Sequence, residues 1–365
     1  TAYLALRVHG ESPESPDMQR AAAFIIENGG VDSSDVFTRS FLALFGCWPS
    51  YYPPSFLPEI MRLSSWTGND YHTLPVWLRV LVLPAAVART CGTPETLPEP
   101  VRLDELIGKS SESHTAGSSS FVPKLIYRLL ILSERVGLTP WRSQALEAAD
   151  EWLHSRCSES DGPGAAATAL IWLLIALHLL GVESSHPDMD RALQSLNELL
   201  WEEKDKLYLQ PSQTPVWDTA HAQTALCASG LDPGGEPVLQ AAAWLVDQEI
   251  TSAGEWQASN PNVRPSGWAR TFNGRWYPDI SNTARVLQAL QYLHDEGEEE
   301  AVAHGLIRRI SVLGILDDNR LGIATQRGLA WLLSMQNPDG GWGYWDRLRE
   351  TPLGPLPPFY DTPDA

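Results

Sequence analysis

Apolar residues recur at i, i+3, i+4 and i+7 through most of this 365-residue chain, as in Phe121 to Leu132 and Asn282 to Leu293. That spacing lines one face of an α-helix. Runs of strict two-residue alternation, which a half-buried strand needs, are scarce. Helical segments of about 10–16 residues, broken by Gly, Pro and Asp turns, predict an all-α protein built of stacked helix pairs. The most apolar stretch, Ala165 to Leu180, carries Thr168 and His178. It falls short of the roughly 20 apolar residues that span a bilayer and reads as a core helix.

Charge narrows the partners. Lys and Arg number 26 against 45 Asp and Glu, a net charge of −19 that repels phosphate backbones and excludes nucleic acid as a partner. With 43% hydrophobic and only 19% charged residues, the chain is a folded one, long enough for about two domains. Its 15 Trp imply either heavy structural use of aromatics or a cavity lined with them. Cys47, Cys91, Cys157 and Cys227 lie far apart with no CxxC pair and no His set beside them, so they read as reduced thiols. No metal site and no cofactor is expected.

An internal repeat follows the helices. Arg327-Gly-Leu-Ala-Trp331-Leu-Leu-Ser-Met-Gln336-Asn-Pro-Asp-Gly340-Gly-Trp342 is a helix ending in Gln, a Gly turn and a Trp. A weaker copy, Gln240 to Trp256, lies 87 residues earlier, and a third, Ala148 to Gly164, lies 92 residues before that and has lost the Gln and the final Trp. The glycine opens a turn at the helix C-terminus, and the Trp and Gln together are expected to tie neighbouring helices. Trp152, Trp244, Trp331 and Trp342 are therefore read as structural.

This repeat resembles the QW repeat of squalene-hopene and oxidosqualene cyclases. Further segments resemble the bacterial-type squalene-hopene cyclases in the same order: Gly29-Gly-Val-Asp with Val36 to Gly46, Pro58-Glu-Ile-Met61, Thr214-Pro-Val-Trp-Asp-Thr219, Pro261 to Trp268 and Tyr277-Pro-Asp279. The resemblance implies two α/α-barrel (α-α toroid) domains enclosing an apolar cavity. Residues 1–200 would belong to an inserted barrel and 201–365 to the first part of the catalytic barrel, left incomplete. Both ends read as cuts in a longer protein, and the stretch alone is expected to be poorly soluble or molten. The resemblance also implies an apolar isoprenoid substrate, squalene or similar. It implies a membrane surface as partner, on the cytoplasmic side in peripheral or monotopic fashion, and a homodimer.

The family's reaction is a class II, proton-initiated carbocationic cyclisation of a polyprene to a polycyclic, hopanoid-type terpenoid. An alkene is so weak a base that the acid must be strong and kept protonated. The resemblance assigns this to Asp-x-Asp-Asp, whose middle Asp gives the proton. Here the motif reads Asp279-Ile280-Ser281-Asn282, so Ser281 and Asn282 occupy the acid positions and Asp279 alone remains. A hydroxyl does not protonate an alkene, and this chain as given is expected to be inactive. The partner His would lie beyond residue 365.

By matching position, the substrate-binding residues are Trp217, Asp218, Phe272, Tyr277 and Trp345, with Trp217 in the best-preserved context. Where the family carries an aromatic, seven residues before Tyr277, stands Arg270, a guanidinium that would repel a carbocation. Two blander readings stay open: Asp279 as the N-cap of the following helix, and Asp218 as a turn residue. His221 is given no role. About 20 residues more than the family pattern calls for separate the helix ending near Leu293 from Arg327. Three other functions compete: a non-catalytic isoprenoid-binding relative that keeps the cavity without the acid, an α/α-barrel glycosidase, and a zinc-dependent prenyltransferase for which no Asp/Cys/His ligand set is evident.

Overall fold

Prolines at the first turn start several helices of this chain, where a missing N–H costs nothing. The computed structural model describes residues 2–34, 36–47, 57–62, 71, 74, 76–92, 101–107, 129, 132–133, 136–139, 141–158, 166–258, 261–270, 277–293, 318–345 and 347. In the first half the helices are α1 Ala2–Val8, α2 Pro16–Glu27, α3 Val36–Leu44, α4 Val76–Cys91, α5 Arg142–Ser158, α6 Ala167–Leu179 and α7 Pro187–Glu198. A hairpin of β1 Leu200–Glu203 and β2 Lys206–Leu209 follows. In the second half come α8 Pro215–Ala228, α9 Glu236–Asp247, α10 Ile280–Gln291 and α11 Asp318–Ser334. Ser15 caps α2 through its hydroxyl, which accepts the Met18 N–H, and His186 caps α7 by accepting the Asp188 N–H. Among the described residues the chain is helical but for the hairpin and the isolated Ala166–Ser212 bridge.

The most apolar stretch becomes the central helix of the first half. Helix α6 buries Leu173, Ala176 and Leu177 with Leu83 and Val87 of α4 and Leu153 of α5, Trp172 with Leu78 and Val82 of α4, and Leu170 with Leu199. Each such aliphatic side chain contributes roughly 1.5–3 kcal/mol relative to exposure. Among the described residues no helix is long and apolar enough to cross a membrane.

Four helices share the second core. Val216 and Ala220 of α8, Leu239 and Ala242 of α9, Val286 and Leu290 of α10, and Leu321 and Ala324 of α11 surround the fully buried Trp268. Gln223 ties α8 to α10 by donating its Nε2–H to the Ala289 carbonyl at 2.9 Å.

The hairpin was not expected from the sequence. Every residue of β2 is exposed, so no alternation of apolar and polar residues marks it, and it is held by backbone pairing and by Trp201 stacked on Tyr208 at 4.6 Å.

The two halves are joined by polar contacts. Arg79 of α4, its side chain 1% exposed, donates to Glu255 at 2.8 Å, and the Trp152 indole donates to the other oxygen of Glu255 at 2.7 Å. Ala167 N–H reaches the Pro211 carbonyl at 2.9 Å.

In the Arg327–Trp342 unit, the expected tie between helices is made by arginines. Arg327 clamps Glu249 with two bonds of 3.0 and 2.6 Å, and Arg320 reaches Asp247 at 2.6 Å. Gln336 and Trp342 act locally: the amide donates to the Gly340 carbonyl and the indole to the Leu332 carbonyl at the end of α11. Trp331 is fully buried edge-on against Trp256.

Candidate functional site

The N-terminus of α10 is where the motif residues converge. Asp279 is the helix N-cap: its Oδ1 accepts the Asn282 N–H at 2.7 Å and the Ser281 hydroxyl at 2.9 Å. The first free amides of α10, which a helix leaves without internal partners, are taken by another segment. Ile280 N–H donates to the Trp345 carbonyl and Ser281 N–H to the Tyr344 carbonyl, at 3.2 and 3.0 Å.

A third segment is laced to the same helix end. Asp279 N–H donates to the Trp268 carbonyl, Thr283 Oγ1 accepts the Trp268 N–H, and Asn282 Nδ2–H donates to the Ala269 carbonyl at 2.7 Å. Asn282 is fully buried and acts as a strut. The close approach depends on glycine. At Gly267, where φ is +103°, a Cβ would lie 2.9 Å from Pro278, and a Cβ at Gly328 would lie 2.6 Å from the Trp268 ring.

These three segments bring Arg270 against aromatic rings. Its guanidinium carbon lies 4.0 Å from the ring centre of Trp345, 4.4 Å from Trp217 and 4.8 Å from Tyr344. Its Nη2 donates to Ser281 Oγ at 2.7 Å, and its Nε lies 3.8 Å from Asp279. The Arg270 carbonyl accepts the Val216 N–H from the start of α8, fixing the backbone beside Trp217. His221 tilts against Trp217 at 4.5 Å, and Arg285 lies 5.9 Å from that ring.

Burial dominates the electrostatics of Asp279. Removal from water pushes its carboxyl up to about 6, and the neighbouring Arg270 charge, the Asn282 N–H and the Ser281 hydroxyl offset only part of that. The result is a weaker acid than an ordinary carboxyl, flanked by an alcohol and an amide. Nothing in this set is strong enough to protonate an alkene.

The structure thus brings together Asp279, Ser281, Asn282, Trp217 and Trp345 of the residues marked in the sequence. Tyr277 is placed elsewhere, buried with Trp256, Ile280 and Trp331, with the Arg79 guanidinium 5.1 Å from its ring. Asp218 is exposed within the first turn of α8, not in a connecting turn, and accepts from Thr214 Oγ1 at 3.1 Å. Phe272 and the added segment before residue 318 lie outside the described residues. Tyr344 was missed, since nothing in its local pattern says that it folds back onto α10.

A second cluster bears on the expectation that no Asp/Cys/His ligand set is evident. His154 of α5 meets Asp188 and His186 at the start of α7. Arg191 and His154 hold the two oxygens of Asp188, and His186 Nδ1 is engaged as the helix cap. Burial raises the Asp188 carboxyl, but the Arg191 and His154 bonds outweigh it and hold the group below the usual range. The donors are spent on an ion-paired helix start. Away from the α10 site, a cavity of about 640 Å³ lies in the first half, lined by apolar residues including Phe37, Phe41, Leu106 and Trp172.

Residues 1–205 match the family model for the squalene-hopene cyclase N-terminal domain, and residues 213–314 match that for the squalene-hopene cyclase C-terminal domain. The chain belongs to the squalene-hopene cyclase family. It is 31% identical to a squalene-hopene cyclase of Alicyclobacillus acidocaldarius over 99% of this chain and 54% of that protein. It is also 31% identical to one from Bradyrhizobium diazoefficiens, over 94% of this chain and 51% of that protein. A dammaradiene synthase of Dryopteris crassirhizoma is 30% identical over 99% of this chain and 51% of that protein. The chain spans about half the length of these curated relatives. Family membership accounts for the predominantly helical fold.

Proposed function

We propose that the protein is a squalene-hopene-cyclase-type protein that takes up a squalene-like polyprene against the aromatic face of Trp217, Tyr344 and Trp345. In this chain the site binds the hydrocarbon without starting its cyclisation. One observation carries the second part: the acid position is Ser281, hydrogen-bonded between Arg270 and Asp279. Loss of a positioned general acid costs about 10²–10⁴ even in easier proton transfers. An alcohol in that place leaves the alkene unprotonated, while the flat aromatic surface still suits an apolar chain.

The same reading places the boundary between an inserted barrel and a catalytic barrel near residue 200. It also seats the whole protein on the cytoplasmic side of a membrane as a peripheral or monotopic homodimer, because its substrate dissolves in lipid. Co-sedimentation with neutral phosphatidylcholine vesicles tests the attachment, which the net charge of −19 keeps from depending on anionic lipid.

The decisive experiment incubates the whole protein with squalene. Quenching of Trp fluorescence with recovery of unchanged squalene is expected. Cyclised triterpenes from the wild type would overturn the loss of the acid, and absence of squalene binding would overturn the polyprene reading.

A further inference from the structure

We propose that Arg270 is the residue that determines what this site accepts: its guanidinium is a resident cation that occupies the aromatic cage, so the cage takes neutral chains and rejects cationic ones. The inference rests on reading this face as the polyprene site, and goes beyond it by naming the selectivity and its source.

The geometry is that of a filled cation site. Three rings from two different segments, Trp217 on α8 and Tyr344 and Trp345 beyond α11, stand 4.0–4.8 Å from one guanidinium carbon. Ring faces attract positive charge, and a cage of them is the usual receptor for a cationic ligand. Here the charge is supplied from within the chain. A guanidinium is a planar cation that stacks on aromatic faces. It is also anchored. Ser281 Oγ accepts from Nη2 at 2.7 Å, Asp279 stands 3.8 Å from Nε, and the Arg270 carbonyl is tied to Val216 N–H.

Two consequences follow for a ligand. A second cation entering the cage meets a like charge a few ångströms away in a poorly solvated setting, where repulsion is far stronger than in water. The ring faces that would have rewarded it are already used. A neutral hydrocarbon pays neither cost, since the flat guanidinium stacked on indole offers an extended surface against which CH groups pack. A positive charge developing on a bound polyprene would be opposed in the same way. Arg270 and Ser281 thus act in one direction, the first against the cation and the second against its formation.

The test uses a matched pair of probes, octyltrimethylammonium and octanol, with squalene as a third, on the whole protein. Binding is read by Trp fluorescence and calorimetry for wild type, Arg270→Ala, Arg270→Lys and Arg270→Ala/Trp345→Ala. Emptying the cage with Arg270→Ala is expected to tighten octyltrimethylammonium at least tenfold while octanol changes less than threefold. Arg270→Lys keeps a cation in place and is expected to stay within threefold of wild type. The added Trp345→Ala is expected to abolish the gain. Far-UV circular dichroism checks that each variant is folded; should the alanine variants fail to fold, wild type and Arg270→Lys that both take octanol and both exclude the ammonium support the retained cation, and ammonium bound by either as tightly as octanol overturns it. Ammonium bound by wild type as tightly as octanol, or unchanged by Arg270→Ala, would overturn the inference. Squalene binding reports separately on the polyprene reading.

Discussion

Replacing Asp279 with asparagine isolates the most strongly perturbed carboxyl of the α10 site. In the folded protein its pKa is about 6, raised from 3.8 by burial against the partial relief of the Arg270 charge and three hydrogen bonds. The sign is fixed by the direction. The folded state holds this proton more tightly than the unfolded state, so its contribution to stability is fully present below about pH 4 and is lost as the pH rises through 6. A difference of about two pKa units corresponds to about 3 kcal/mol in all, of which roughly half is lost between pH 5 and pH 8. Asparagine caps a helix about as well as aspartate and does not titrate. The stability difference, wild type minus Asp279→Asn, should therefore fall by about 1–2 kcal/mol from pH 5 to pH 8 in urea unfolding. Taking the difference removes the other carboxylates of this acidic chain from the comparison. A difference that is flat, or that rises with pH, would refute burial as the dominant influence and put the Arg270 charge in command.

Arg79→Ala should lower stability by about 3–5 kcal/mol, because Glu255 then keeps a largely buried charge with only the neutral Trp152 indole and the more distant Arg156 beside it among the described side chains; a thermal melt shifted by less than a degree or two would contradict it. Gly328→Ala should cost about 1–3 kcal/mol through the clash with the Trp268 ring, measured by denaturant unfolding against Gly322→Ala, where a Cβ meets open space.

The helices were legible because their burial is one-sided and periodic: α10 buries Ile280, Thr283, Val286 and Leu290 at the spacing read from Asn282 to Leu293. Asp279 as a cap was legible too, since Asp followed by Ser and Asn is a helix-start pattern. The hairpin was not, because exposed strands carry no alternation. Nor was the cage. Arg270 was visible as a cation in an aromatic's place, yet repulsion of a substrate cation was as far as position alone could lead. That the same guanidinium is embraced by Trp217, Tyr344 and Trp345 depends on residues 53 to 75 positions from Arg270, brought together by backbone bonds at one helix end. The His154, His186 and Asp188 meeting has the same cause: two helices packed side by side, with no spacing in the sequence to announce it.

Ser281, Asn282 and Arg270 form one connected arrangement, and this bears on any attempt to rebuild the acid. Asn282 donates to the Ala269 carbonyl from a fully buried position. An ionised aspartate there has no proton to give, so Asn282→Asp alone should cost about 1–3 kcal/mol for the orphaned carbonyl, and more for a second buried carboxyl beside Asp279. Ser281→Asp is different, because Arg270 already reaches position 281 and would pair with the new carboxylate. That pairing holds the new group ionised, the opposite of what an acid must be. The double variant should therefore remain inactive toward squalene while Arg270 is present, and cyclised product should first appear when Arg270→Phe is added. Measuring the three variants singly and in combination separates the cases: product from Ser281→Asp/Asn282→Asp with Arg270 intact would break the argument that the guanidinium and the acid are alternatives at this site.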